Sequence, residues 1–187
     1  ENKKVVNEFV NLGFWPGGDR DGNPFVTTKI TLDVANRLQQ SIIKNYYRDI
    51  RELKRKLTFK KVADRVALLE DRLYQSFTHD IISISFDEFY HELIQIKDLV
   101  IQNYQSLYLS ELKDIIHKAR IFGFHFATLD IRQDSRVHHS VFEDIVNLQL
   151  KKDSGIFPKN YWNLSEKKQI NVLSKITGII EVNDYKN

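Results

Sequence analysis

Apolar residues recur at intervals of four and three along most of this chain, and the few places where that rhythm breaks are as informative as the stripes. Ile30, Val34, Leu38, Ile42, Tyr46, Ile50, Leu53 and Leu57 form one continuous stripe. They predict a long helix, capped by Thr27 or Thr28 and packed along its whole length. Val62, Val66, Leu69, Leu73 and Phe77 repeat the pattern in a second helix. Residues 78–85 read as a connection, partly buried because it carries Ile81, Ile82 and Ile84. Ser85-x-x-Glu88 is a capping box, with Phe89, Leu93, Ile96 and Val100 as the stripe behind it. Leu109, Leu112, Ile115, Ile116, Ala119 and Phe122 make a fourth helix, which Gly123 is placed to end. There the helical period gives way to strict alternation, and residues 124–131 read as a strand. Ser135 starts a fifth helix through Val137, Val141, Ile145 and Leu148. After a loop over residues 151–164, Ser165 caps a last one through Ile170, Leu173 and Ile176. A weaker alternation over residues 8–15 predicts a second strand. The expected fold is mainly α, a helical bundle of about six helices with two short strands. Two strands so far apart in sequence make a poor sheet, because unpaired edges are costly.

Composition narrows the class. At 187 residues, 42% hydrophobic and 28% charged, the chain is ordinary for one globular core. No apolar run approaches the ~20 residues that span a bilayer, and no secretory pattern opens the chain, so no membrane partner is expected. Zero cysteines exclude a disulfide scaffold and thiolate chemistry and suit a reducing compartment. Zero methionines, with a start at Glu1-Asn2-Lys3-Lys4-Val5, lead us to expect a piece excised from a longer polypeptide. The net charge of +3 is slight. Its one basic concentration, Arg48, Arg51, Lys54, Arg55 and Lys56 with Lys60 and Lys61 beyond, has no interleaved aromatics and runs into Asp64, Glu70 and Asp71. It reads as a solvated helix face, and no nucleic-acid partner is expected.

Two polar clusters interrupt the stripes. In Phe14-Trp15-Pro16-Gly17-Gly18-Asp19-Arg20-Asp21-Gly22-Asn23-Pro24 the glycines allow backbone angles closed to other residues, and Asp21-Gly22-Asn23-Pro24 is turn chemistry. Asp19-x-Asp21-x-Asn23 is not a calcium loop, because Pro24 and Ile30 stand where the glycine and glutamate belong. Nor is it a phosphate-binding P-loop, since Asn23-Pro24 replaces the lysine and hydroxyl residue. The second cluster, Leu129-Asp130-Ile131-Arg132-Gln133-Asp134-Ser135, closes the predicted strand, in which Phe124, Phe126, Thr128, Asp130 and Arg132 share a parity. Spacing leaves two readings of Arg132 open: a permanent cation gripping an anion, or a bridge to Asp130 or Asp134. The single histidines His79, His91, His117 and His125 have no ligand spacing, and the neighbours His138 and His139 diverge on a helix, so no metal site is expected.

Taken together and in this order, Gly-Gly-Asp-Arg-Asp-Gly-Asn-Pro and Leu-Asp-Ile-Arg-Gln-Asp-Ser resemble the phosphoenolpyruvate carboxylase family, in the middle of its N-terminal half. The likeness continues to Ser135-x-x-His138 and to Tyr161-Trp162-x-x-Ser165-Glu166, whereas residues 40–105 match in helical character alone. Phe14-Trp15-Pro16 departs from the family's Ser-Trp-Met lead-in. The resemblance implies that the chain is part of an enzyme combining helices with an α/β barrel, whose remaining strands lie elsewhere. The chain then divides into a strand and glycine loop (1–27), helices (28–123), a barrel-type strand with the arginine motif (124–135) and further helices (136–187).

The implied activity is carboxylation of phosphoenolpyruvate by bicarbonate to oxaloacetate and phosphate, with Mg²⁺ or Mn²⁺, in a cytoplasmic homotetramer. Arg132 would bind the substrate phosphate, Asp130 and Gln133 would hold Arg132, and Asp19, Arg20, Asp21 and Asn23 would shape the substrate side. The family's histidine segment, metal-binding acids, lysine and arginine-glycine loop match nothing here, so the metal ligands are expected in the rest of the polypeptide and the chain alone is expected to be silent. The alternative is a non-catalytic helical module that binds a partner or an anion.

Overall fold

A strand of two residues, β1 (Gly13–Phe14), enters the glycine loop, and Thr27 then starts the first helix, its hydroxyl accepting from the Ile30 N–H. Helices α1 (Thr28–Lys56), α2 (Lys60–Thr78), α3 (Phe86–Asn103) and α4 (Leu109–Phe122) follow, and then β2 (Thr128–Leu129). The computed structural model describes residues 11–78 and 83–177 and consists of two compact units, one running to Arg132 and one from Gln133 on. Residues 8–10 of the predicted first strand, Ile81 and Ile82, and residues 178–187 lie outside the described residues.

The first unit is a helical bundle. Helix α1 lies against α2 and α4, and α3 packs on α2 and α4. Ile43, Tyr46, Ile50 and Leu53 of α1 meet Val66 and Leu69, Phe89 and Ile96, and Leu112 and Ala119 in one buried cluster. Burial of these side chains is the main stabilising term, at ~1.5–3 kcal/mol each. The capping box at α3 forms in both directions, the Glu88 N–H donating to Ser85 Oγ and the Ser85 N–H to Glu88 Oε2. Arg72 donates twice to the Ser83 carbonyl and so ties α2 to the start of α3. The basic run of α1 faces solvent and its neighbours' acids: Arg51 and Lys54 pair with Glu70, and Lys56 pairs with Glu111.

Two expectations need correction. The apolar stripe of helix α1 is buried only from Ile42 onward. Ile30 is exposed and Val34 and Leu38 are half-buried, since the bundle covers only the later turns. The second strand is also far shorter than residues 124–131. Gly123 ends α4 at φ 51, the N–H groups of His125 and Phe126 both turn back to the Phe122 carbonyl, and Phe126 sits at φ 68. Phe124 is drawn into the core beside Phe89 and Tyr46. The Tyr46 hydroxyl donates to the Gly123 carbonyl at 2.8 Å. Its apolar surroundings, and then the Asp49 charge, push its pKa well above the usual tyrosine value and keep it a donor. The alternating aromatics of this stretch therefore fill the core, and extended pairing begins only at Thr128.

The strands pair with each other in parallel, Gly13 opposite Thr128 and Phe14 opposite Leu129. In the second unit, α5 (Ser135–Lys151) leads through a 3₁₀ turn at Tyr161–Asn163 to α6 (Glu166–Leu173), around a cluster of Val146, Phe157 and Tyr161. Val137 and Val141, predicted to face a core, are exposed, and α5 buries Val146 and Gln149 instead.

The start of α5 supplies a pH prediction. The Asp134 side chain caps the helix, accepting from the Arg136 N–H at 2.8 Å while the Arg136 guanidinium grips the same carboxylate. That guanidinium, and then the backbone N–H, lower its pKa to about 2. A carboxylate depressed in the folded state adds stability that is complete above its unfolded value and lost as pH falls through the folded one. Acid titration followed by circular dichroism is expected to lose helix between pH ~4 and ~2, with a smaller loss in that window for Asp134→Asn, whose cap carries no titrating group.

Candidate functional site at the glycine loop and strand end

The glycine loop folds because two of its glycines stand where a side chain cannot. The N–H groups of Gly18 and Asp19 both reach the Trp15 carbonyl, at 2.9 and 3.2 Å, closing a tight turn directly after β1. Gly17 takes φ +84, and a Cβ there would lie 2.6 Å from Val34 Cγ2 on α1. At Gly18 a Cβ would lie 2.0 Å from the Asp130 carbonyl oxygen. No side chain fits that gap. The loop is consequently pressed against the chain leaving β2.

The contact is hydrogen-bonded throughout. The Thr128 N–H donates to Leu12 O at 2.8 Å and the Asp130 N–H to Phe14 O at 2.9 Å. One step further, the Arg132 N–H donates to Gly18 O and the Arg20 N–H donates to Arg132 O, each at 2.9 Å. Asp19 and Arg132 thereby form an isolated parallel bridge that extends the β1–β2 ladder past its last strand residues. The two polar clusters of the sequence meet here through their main chains.

The side chains then divide. Thr31 in the first turns of α1 donates its hydroxyl to Gly17 O at 2.7 Å and accepts from Arg20 Nη2 at 3.1 Å, anchoring the loop to the helix. Arg20 Nε is buried without a hydrogen-bond partner among the described residues. Asp19 Oδ1 accepts from the Asp21 N–H and Asn23 Oδ1 from the Phe25 N–H, so both side chains shape their own turns. Asp21 is exposed. Arg132 reaches Asp19 Oδ2 through Nη1 at 3.7 Å and keeps 64% of its side chain exposed. The carboxylate beside Arg132 is thus Asp19, where sequence spacing had pointed to Asp130 or Asp134. Asp134 is engaged by Arg136, and Gln133 Oε1 accepts from the Asp134 N–H.

Sequence reasoning brought Asp19, Arg20 and Arg132 to one place but overlooked Thr31. Its one legible signal was a hydroxyl four residues past the helix cap. A groove of about 600 Å³ lies beside this region, lined by Leu12, Leu38, Phe122, Phe126 and Leu129 among others, and its lining includes neither Asp19 nor Arg132. Its walls are mostly apolar but include Asn11, Asn36, Gln39 and Thr128, with His125 the one titratable side chain among the described lining residues, and the convergent charge is at the loop. Among the described residues no group of three or more His, Asp or Glu is placed to hold a metal. No described helix is long and apolar enough to cross a membrane.

A loop that seats on a strand end and leaves one arginine open is a recurrent way to hold an anion. The family model described as phosphoenolpyruvate carboxylase matches residues 1–83 and 61–178. The chain belongs to the phosphoenolpyruvate carboxylase family. Phosphoenolpyruvate carboxylase of Shewanella sediminis is 30% identical to it over 90% of the chain, and that of Nitrosomonas europaea is 25% identical over 88%. The Aeromonas hydrophila phosphoenolpyruvate carboxylase is 28% identical over 73% of the chain. The chain spans about a fifth of the length of these relatives, 22%, 22% and 19% respectively.

Proposed function

We propose that this chain is the phosphate-binding portion of a longer phosphoenolpyruvate carboxylase. The enzyme would join bicarbonate to phosphoenolpyruvate, breaking the enol ester C–O–P linkage and forming a C–C bond, to give oxaloacetate and inorganic phosphate. The observation that carries the reading is the position of Arg132: its backbone is fixed to the glycine loop on both sides while its guanidinium stays in solvent. A fork of permanent charge held in that way suits a phosphoryl group, with two N–H donors for two oxygens. Asp19 and Arg20 place Arg132 through the bridge, and Thr31 keeps the loop on α1.

The described carboxylates do not form a metal site. Mg²⁺ or Mn²⁺ would be held by ligands in the remainder of the polypeptide. By the same resemblance the enzyme would act in the cytoplasm as a homotetramer.

The test is oxaloacetate formation from phosphoenolpyruvate, bicarbonate and Mg²⁺, followed as NADH oxidation through malate dehydrogenase. The full-length polypeptide is expected to turn over, and the 187-residue chain to stay at the level of a contamination control. An inactive full-length protein would move the chain to the class of helical anion- or partner-binding modules.

A further inference from the structure

Asp19 and Arg132 form an ion pair whose two members are held very differently. Asp19 is fixed twice, by the backbone bridge to Arg132 and by the bond its Oδ1 accepts from the Asp21 N–H at 3.2 Å. Its side chain is only 23% exposed, against 64% for Arg132. The contact between Arg132 Nη1 and Asp19 Oδ2, at 3.7 Å, is too long for a hydrogen bond. The pair is therefore purely Coulombic, and among the described residues no guanidinium donor of Arg132 is taken up by a hydrogen bond.

We infer that Asp19 is a resident counter-ion that a phosphoryl group displaces from Arg132, so that it limits how tightly the anion is held. The inference rests on the phosphate-binding reading of Arg132 proposed above. A phosphate oxygen offers Arg132 the charge-assisted hydrogen bonds that the distant carboxylate does not, so the exchange is favourable. The pinned carboxylate stays behind as a like charge beside the bound anion. The phosphoryl group of the substrate and the inorganic phosphate released from it both carry multiple negative charge and meet the same arginine. Uniformly tighter binding of either adds nothing to the chemical step, and tight product retention slows turnover. Asp19 supplies the opposing charge.

Asp19→Asn removes that charge and keeps an acceptor for the Asp21 N–H, so the turn survives. Asp19→Ser also keeps an acceptor there and must shift in the same direction. In the full-length enzyme, inhibition by inorganic phosphate against phosphoenolpyruvate is measured at low ionic strength. Both variants are expected to lower the phosphate Ki and the phosphoenolpyruvate KM by about threefold, the scale of one exposed ion pair. The gain is expected to shrink as KCl is added and to vanish when Arg132→Ala is combined with Asp19→Asn. A role confined to shaping the loop would raise both constants or leave them unchanged, and either result overturns the counter-ion. If Arg132→Ala alone leaves phosphate inhibition intact, the phosphate reading of Arg132 fails and the inference goes with it. A defective Arg132→Ala beside an unchanged Asp19→Asn sinks only the counter-ion.

Discussion

Arg132→Ala in the full-length enzyme is expected to lower kcat/KM for phosphoenolpyruvate by about three orders of magnitude, with the fold unchanged. The size follows from removing one preorganised charge from a transferring phosphoryl group, which typically costs ~10²–10³ in rate. The selectivity of the effect follows from the geometry. Everything Arg132 does for the loop it does through its main chain, donating to Gly18 O and accepting from the Arg20 N–H, and alanine preserves both. Its side chain is mostly in solvent, and its charged contact among the described residues, to Asp19, is long. Exposed pairs of this kind contribute ~0–1 kcal/mol, too little to unfold a bundle built on the α1–α4 core. Arg132→Lys is expected to recover only part of the loss, since an ammonium keeps the charge but not the two-pronged donor. Circular dichroism and oxaloacetate formation on the same preparations decide the matter. A folded Arg132→Ala variant within threefold of the parent would make this arginine structural and remove the observation on which the proposed function stands.

How much of this was legible in the sequence depended on the kind of contact. Helix periodicity located α1 to α4, because a buried side chain every three or four residues leaves its mark in composition. Periodicity marks an apolar face, however, and not what covers it, so Ile30, Val137 and Val141 carried the pattern and remain exposed. Alternation misled at Phe124 and Phe126. Large aromatics filling the core around a glycine turn imitate a strand until the backbone angles are known. The candidate site was half readable. The residue types left Arg132 open between an anion grip and an ion pair, and the join between loop and strand is made by N–H and C=O groups that every residue carries. That is why Asp19 was not foreseen as the partner of Arg132, and why the requirement at Gly18 could not be distinguished from that at Gly22.

Those two glycines give the sharpest structural prediction. Gly22 sits at φ +70, and a methyl group added there would meet nothing within 4 Å, so Gly22→Ala is expected to cost only the strain of a left-handed alanine. That is about 1 kcal/mol, with activity close to the parent. At Gly18 the added Cβ would stand 2.0 Å from the Asp130 carbonyl oxygen, a backbone atom of the neighbouring chain segment. It cannot rotate away. Relief requires the loop to lift off β2, and lifting breaks the Arg132 N–H bond to Gly18 O together with the return bond from the Arg20 N–H. Overpacking against an atom that cannot yield costs ~2 kcal/mol or more, equivalent to a ~30-fold rise in the open state of this junction. Amide exchange should therefore quicken by at least that factor in peptides covering residues 128–132, while peptides from α1 to α4 keep their protection. Catalysis is expected to fall with it, because Arg132 would no longer be held at the loop. Parental exchange at 128–132 in a Gly18→Ala variant would mean that the loop does not lean on β2, and the geometry proposed for the phosphate site would fail at its base.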